Sequence, residues 1–119
     1  MRFVTELLSA DRLAIADECF VAIVNRKIVG AVCIVYDNGT HSELLTEYVL
    51  KEYQGRGIGT QLSRTAIERL IELRKTPIYI DVSSQGMDRT LDKLPKPLHR
   101  RLRLNRSYLK IGEVDLPEI

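Results

Sequence analysis

The chain has 119 residues, 45% of them hydrophobic and 29% charged, with a formal net charge of +2. That is apolar material for one compact soluble domain over residues 1–119, and the cationic excess is too small to argue for nucleic acid as a partner. The longest uninterrupted apolar stretches, Phe20 to Val24 and Ala31 to Tyr36, are strand-sized and far below a bilayer span, and no signal-peptide pattern is present.

Residues Glu6 to Ala16 read as a helix, followed by strands at Cys19 to Asn25 and Ile28 to Tyr36 joined by a short turn at Arg26-Lys27. Asp37-Asn38-Gly39 is a turn signal, and a third strand spans about Ser42 to Leu50. After the glycine-rich segment Gln54-Gly55-Arg56-Gly57-Ile58-Gly59 a helix runs to about Arg74, with Ile58, Leu62, Ala66, Leu70 and Leu73 on one face. Pro77 precedes a β-branched strand, Ile78 to Val82. Leu91, Leu94, Leu98 and Leu102 then recur at helical spacing, but Pro95 and Pro97 interrupt them, so two short helices are expected. The second would carry Arg100, Arg101, Arg103 and Arg106 on its outer faces, and Tyr108 to Val114 would close the chain as a strand. Cys19, Cys33, His41 and His99 follow no familiar zinc spacing, so the expectation is a reduced, metal-free, cytoplasmic protein.

The glycine-rich segment carries most of the functional information. Alternating glycines let the backbone turn tightly, and the first N–H groups of the following helix have no intrahelical acceptor, so the turn reads as a cradle for a diphosphate. It is not a P-loop, because no Lys-Ser/Thr follows the glycines, and it is not the dinucleotide fingerprint, because Thr60 stands where that motif has glycine.

Gln54, Gly57 and Gly59 occupy the three fixed places of the Gln/Arg-x-x-Gly-x-Gly/Ala signature, and the segment therefore resembles the GNAT acetyltransferase superfamily. Val49 stands five residues before Gln54, as in that family's fourth strand, and Lys27-Ile28-Val29-Gly30 is similar to the opening of its third. The resemblance implies an α/β fold with a mixed, mostly antiparallel central sheet, flanking helices and a splay between strands four and five. It implies transfer of an acetyl group from acetyl-CoA to an amine.

By the same resemblance, the glycine turn that begins at Gly55 holds the diphosphate through backbone N–H groups of Arg56, Gly57, Ile58, Gly59 and Thr60, with Gln54 buttressing the turn. The pantetheine arm lies along the strand near Tyr48 and Val49, and Ser83 or Ser84 is in reach of it. Glu43, eleven residues before Gln54, is the first candidate for the base, at the spacing that protein-acetylating members use. Glu47 is the second, since residues four apart on a strand point the same way and two carboxylates at one cleft raise each other's pKa. The family's general-acid tyrosine falls near Lys93 and is missing, which leaves Tyr108 as the nearest hydroxyl in chain order.

The front of the chain is short for the family. That leaves one side of the acceptor cleft open unless a second subunit in a homodimer covers it, and suits a protein lysine or N-terminal amine better than a small metabolite. The competing reading is a catalytically silent acetyl-CoA-binding module that regulates a protein partner. A nucleic-acid binder built on Arg100 to Arg106 lacks interleaved aromatics.

Overall fold

The protein was analysed as a computed structural model, which describes residues 15–37, 41–110 and 117. Five strands form one mixed sheet in spatial order β1 (Glu18–Val24), β2 (Lys27–Val35), β3 (Ser42–Val49), β4 (Ile78–Asp81) and β5 (Leu102–Asn105). The first three pair antiparallel, and β3, β4 and β5 pair parallel. Parallel neighbours need crossovers. Helix α1 (Ile58–Glu72) makes the first, and the short helices α2 (Gln85–Asp92) and α3 (Lys96–His99) make the second.

The β1–β2 hairpin turns at Asn25-Arg26, one residue earlier than expected, with φ of 48° and 65° at the two positions. Positive φ at both central residues is the tight hairpin geometry that Asn tolerates and Lys27 would resist. Strand β2 is buried along nearly its whole length, which explains its continuous apolar run.

Helix α1 buries Leu62, Ala66, Ile67 and Leu70 in one core with Val32, Ile34, Leu44, Ile78 and Ile80 of the sheet. Each leucine, isoleucine and valine among them contributes roughly 1.5–3 kcal/mol when fully buried. The helix stops where Arg74 adopts φ 58° and lets the Lys75 N–H return to Leu70 O at 2.8 Å. Helix α2 starts at Ser84, whose side chain accepts the Met87 N–H at 3.1 Å, and Pro97 sits in the first turn of α3. Leu91 and Leu94 join the same core as α1, so the helices share one face of the sheet. A smaller cluster on the other face centres on Ala31 and Cys33, with Cys19 and Leu45 packed around it.

Several expectations are corrected. Leu102 to Asn105 is strand β5, so the arginine-bearing second helix ends at His99. The alternation that puts Leu102 inside and Arg103 outside has strand period, and the parallel ladder to β4 supplies its hydrogen bonds. Ser107–Lys110 is a 3₁₀ turn, not the start of a strand; 111–114 lie outside the described residues, as does nearly all of the expected helix at 6–16 and the turn at 38–39. Cys19 and Cys33 are joined by a disulfide, against the expectation of free thiols. The β1–β2 register makes them direct cross-strand partners, which their separation in sequence does not reveal.

Two irregularities in β3 position the site. Pairing with β4 extends only over Ser42↔Ile78, Glu43↔Tyr79 and Leu44↔Ile80, after which the strands part and 45–49 have no β4 neighbour. This is the splay expected between the family's fourth and fifth strands. The second is a bulge: Ile34 pairs with Leu44 but Cys33 with Thr46, so Leu45 is an extra residue on β3. Leu44 lies in the helix-side core while Leu45 packs on the opposite cluster, and beyond the bulge Glu47 returns to the helix side, where it meets Ser63. Glu43 alternates with Leu44 and faces away. The expectation that Glu43 and Glu47 share a face is thus overturned, because one inserted residue resets a period of two.

Candidate active site

Past the end of the β3–β4 ladder a cleft of about 430 Å³ opens between β3, the glycine turn and α2. Its strand wall is defined by hydrogen-bond parity. The Leu50 N–H donates to Val29 O at 2.8 Å, so the main chain of Leu50 and, two residues back, Tyr48 is turned toward β2. The main-chain groups of Glu47 and Val49 therefore turn to the open side. Gln54 Nε2 donates to Val49 O at 2.9 Å, tying the glycine turn to the strand as the buttressing role requires. Tyr48 lines the cleft too, but its backbone is committed to β2, which shifts the expected backbone contact from Tyr48 to Glu47.

The glycine turn follows a 3₁₀ turn at Lys51–Tyr53. Gly55 and Gly57 have φ of 78° and 83°, a region L side chains resist, and no atom would meet a Cβ at either within 4 Å. Conformation, not crowding, is what calls for glycine here. Gly57 caps α1, and the first intrahelical bond is Gln61 N–H to Gly57 O at 3.0 Å. The N–H groups of Ile58, Gly59 and Thr60 precede it and supply the helix end with donors and partial positive charge.

Gly55, Gly57, Gly59, Thr60 and Ser84 all line the cleft. Arg56 and Ile58 do not: the Arg56 guanidinium lies over the Tyr53 ring at 5.1 Å, and Ile58 packs its side chain against the core. The wall contributed by α2 brings Arg89, Thr90 and Lys93, which sequence reasoning missed as ligand groups. The available signal was two cations four residues apart, at and just past a helix whose Met87 and Leu91 face inward.

Glu47 lines the cleft, and the fully buried Ser63 donates its hydroxyl to Glu47 Oε1 at 2.6 Å. Burial pushes the Glu47 carboxyl up to about 7, only partly offset by that hydrogen bond. Glu43 stands at the last paired residues of β3, across from Tyr79, on the face free of α1. Tyr79 is 41% exposed there, with His41 stacked on it at 4.0 Å between ring centres.

Tyr108 is not in the cleft. Its hydroxyl donates to Asp88 Oδ2 at 2.6 Å, where the Arg106 Nε also donates at 2.9 Å. The two donors, Tyr108 first, hold the Asp88 carboxyl below its usual range, and the carboxylate raises the Tyr108 phenol. The role expected of Tyr108 as a general acid is therefore corrected to anchoring the segment after β5 onto α2.

These residues suit a diphosphate joined to an extended amide-bearing arm, with donors at the helix end and strand-edge groups on Glu47 and Val49. The profile of the family described as Acetyltransferase (GNAT) family matches residues 3–90. No curated protein matches the chain. Among solved structures, an acetyltransferase from Bacillus subtilis in complex with CoA is 24% identical, with TM-score 0.66, covering 78% of this chain and 68% of that one. An aminoglycoside acetyltransferase from an uncultured soil metagenomic sample, in complex with trehalose, is 18% identical with TM-score 0.51, covering 99% and 80%. A protein assigned as a streptothricin acetyltransferase from Bacillus anthracis str. Ames, in complex with acetyl coenzyme A, is 20% identical with TM-score 0.47; the match covers 50% of this chain and only 34% of that one.

Proposed function

Because the chain belongs to the GNAT acetyltransferase family, we propose that it moves the acetyl group of acetyl-CoA to an amine that approaches from the face of the sheet opposite α1, with Glu43 as the base. The observation that carries this reading is the splay itself. It turns the N–H groups of Glu47 and Val49 to the open side, beside a helix end rich in donors. Acetyl-CoA supplies a thioester carbonyl activated toward nitrogen nucleophiles.

The N–H groups of Ile58, Gly59 and Thr60 would hold the diphosphate, and the cations of Arg89 and Lys93 would offset its charge from the opposite wall. The N–H groups of Glu47 and Val49 would align the arm as an added strand. Among the described residues α1 and α2 pack on one face of the sheet, and the acceptor would come to the other, where Glu43 stands near the end of the ladder. There Glu43 would take the ammonium proton, leaving a free lone pair to attack the carbonyl. The departing thiolate would be protonated by water, since Tyr108 is held by Asp88. The exposed Tyr79 with His41 stacked on it gives the acceptor face an aromatic platform, which favours an amine carried on a larger molecule, a protein lysine or N-terminus.

The test is thiol release from acetyl-CoA with lysine peptides, free N-terminal peptides, an aminoglycoside and a polyamine offered in turn. Turnover with a peptide amine, and a loss of kcat of about 10²-fold or more in Glu43→Gln, is expected. Binding of CoA without turnover on any amine would favour a silent binding module. Full turnover by Glu43→Gln with an unchanged pH profile would remove Glu43 as the base.

A further inference from the structure

Glu47 is a carboxyl group that the acetyl transfer described above does not use, although it lines the same cleft. The bulge at Leu45 turns it to the helix side, beneath the first turn of α1. Its two oxygens are unlike. Oε1 accepts from Ser63 at 2.6 Å, whereas among the described residues no donor reaches Oε2. Oε2 lies 3.6 Å from where a Cβ on Gly59 would sit, and the Thr90 methyl lies 3.8 Å from the same point. The open edge of the carboxyl therefore looks into the space between the donor-rich helix end and the α2 wall, where an anionic ligand would lie.

Surrounding charges are few and placed on one side. From α1 the polar neighbour is Ser63; from α2, Arg89 and Lys93 line the same cleft; β2 presents Val32 opposite. On β3 itself Tyr48 lines the cleft, while Glu43 faces the other way. From the glycine turn, Gln54 is bonded to Val49 O and Arg56 lies over Tyr53. A carboxylate with a free oxygen facing a diphosphate ester would repel it, while a carboxylic acid at the same place offers an O–H to a ligand oxygen.

We propose that Glu47 is a proton-linked ligand contact: the cleft accepts CoA and its acyl thioester with Glu47 as the neutral acid, its Oε2–H donating to a ligand oxygen, so that binding takes up a proton. This rests on the reading that the cleft is the acetyl-CoA site. Burial holds the Glu47 carboxyl at about 7, so the coupling falls across the neutral range. Affinity is full below that value and declines about tenfold per pH unit above it, by linkage.

Calorimetric titration of CoA into the whole chain tests this, at pH 6 and pH 8.5 and in buffers of different ionisation enthalpy, for the wild type and Glu47→Gln. The amide keeps the shape of the acid and can donate but does not titrate. The wild type is expected to lose about 30-fold in affinity between the two pH values and to take up close to one proton at the higher one. Glu47→Gln is expected to show neither effect beyond the titration of the ligand's own phosphate, which is common to both proteins. Ser63→Ala, which removes the bond that favours the charged form, should move the wild-type midpoint to higher pH. Equal pH slopes and equal proton uptake in wild type and Glu47→Gln overturn the proposal while leaving the acetyl-CoA site standing. Failure of every variant to bind CoA at any pH overturns both.

Discussion

Replacing Glu47 by Gln should make the protein's stability less dependent on pH, independently of any ligand. In the fold the carboxyl titrates at about 7, against 4.5 for an unperturbed one. A raised acid pKa means the unfolded chain releases this proton first, so stability is full below the unfolded value and falls as pH rises through the folded one. Each tenfold difference in proton affinity between the folded and unfolded chain is worth about 1.4 kcal/mol, so the full effect is about 3 kcal/mol, of which about 2.5 kcal/mol falls between pH 5 and pH 8.5. Urea unfolding followed by circular dichroism across that range would read it. Wild type should lose about this much, and Glu47→Gln should stay level to within about 0.5 kcal/mol. Asp88 and Glu18, both held below their usual range by their donors, change stability only on the acid side and leave this window untouched. Parallel curves for the two proteins would refute the assignment of Glu47 as a half-buried acid whose carboxyl is pushed up to about 7.

The glycine turn makes a second prediction. Gly57→Ala meets no neighbour within 4 Å but must hold φ 83°, so it should cost about 1 kcal/mol in thermal unfolding and weaken CoA binding with little change in the sheet. Asp88→Asn should loosen the Arg106 and Tyr108 anchors and flatten the loss of stability seen in wild type as pH falls below about 4, measured by acid unfolding. Protein purified without reductant should show no reactive thiol after denaturation. Reduction of Cys19–Cys33, which closes a loop of sequence separation 14, should lower stability by about 3 kcal/mol.

How much of this was legible in the sequence differs by residue. The glycine turn could be read because its requirement is local: Gly55 and Gly57 sit at positive φ whatever surrounds them. The apolar periods of β2 and α1 could be read because each element buries a face against its neighbours. Tyr108 was misread because its fate depends on Asp88, 20 residues away in sequence and brought near only by packing on α2. The cysteine pair was hidden for a related reason, since register, not spacing, makes Cys19 and Cys33 neighbours. Arg89 and Lys93 were missed because their one trace in the sequence, a spacing of four, does not say which surface α2 presents to the cleft.

The bulge at Leu45 is the detail with the largest chemical consequence and the faintest sequence trace, for neither Gly nor Pro marks it. Strict alternation would set Glu43 and Glu47 on one face of the strand. With one residue inserted, the same two groups are divided between faces. Glu43 is left near the end of the ladder on the face opposite α1, while Glu47 is pressed against Ser63 under the helix end. A base that must be ionised and an acid that is best neutral need different surroundings. The inserted residue keeps the two carboxyls of β3 from sharing one set of surroundings.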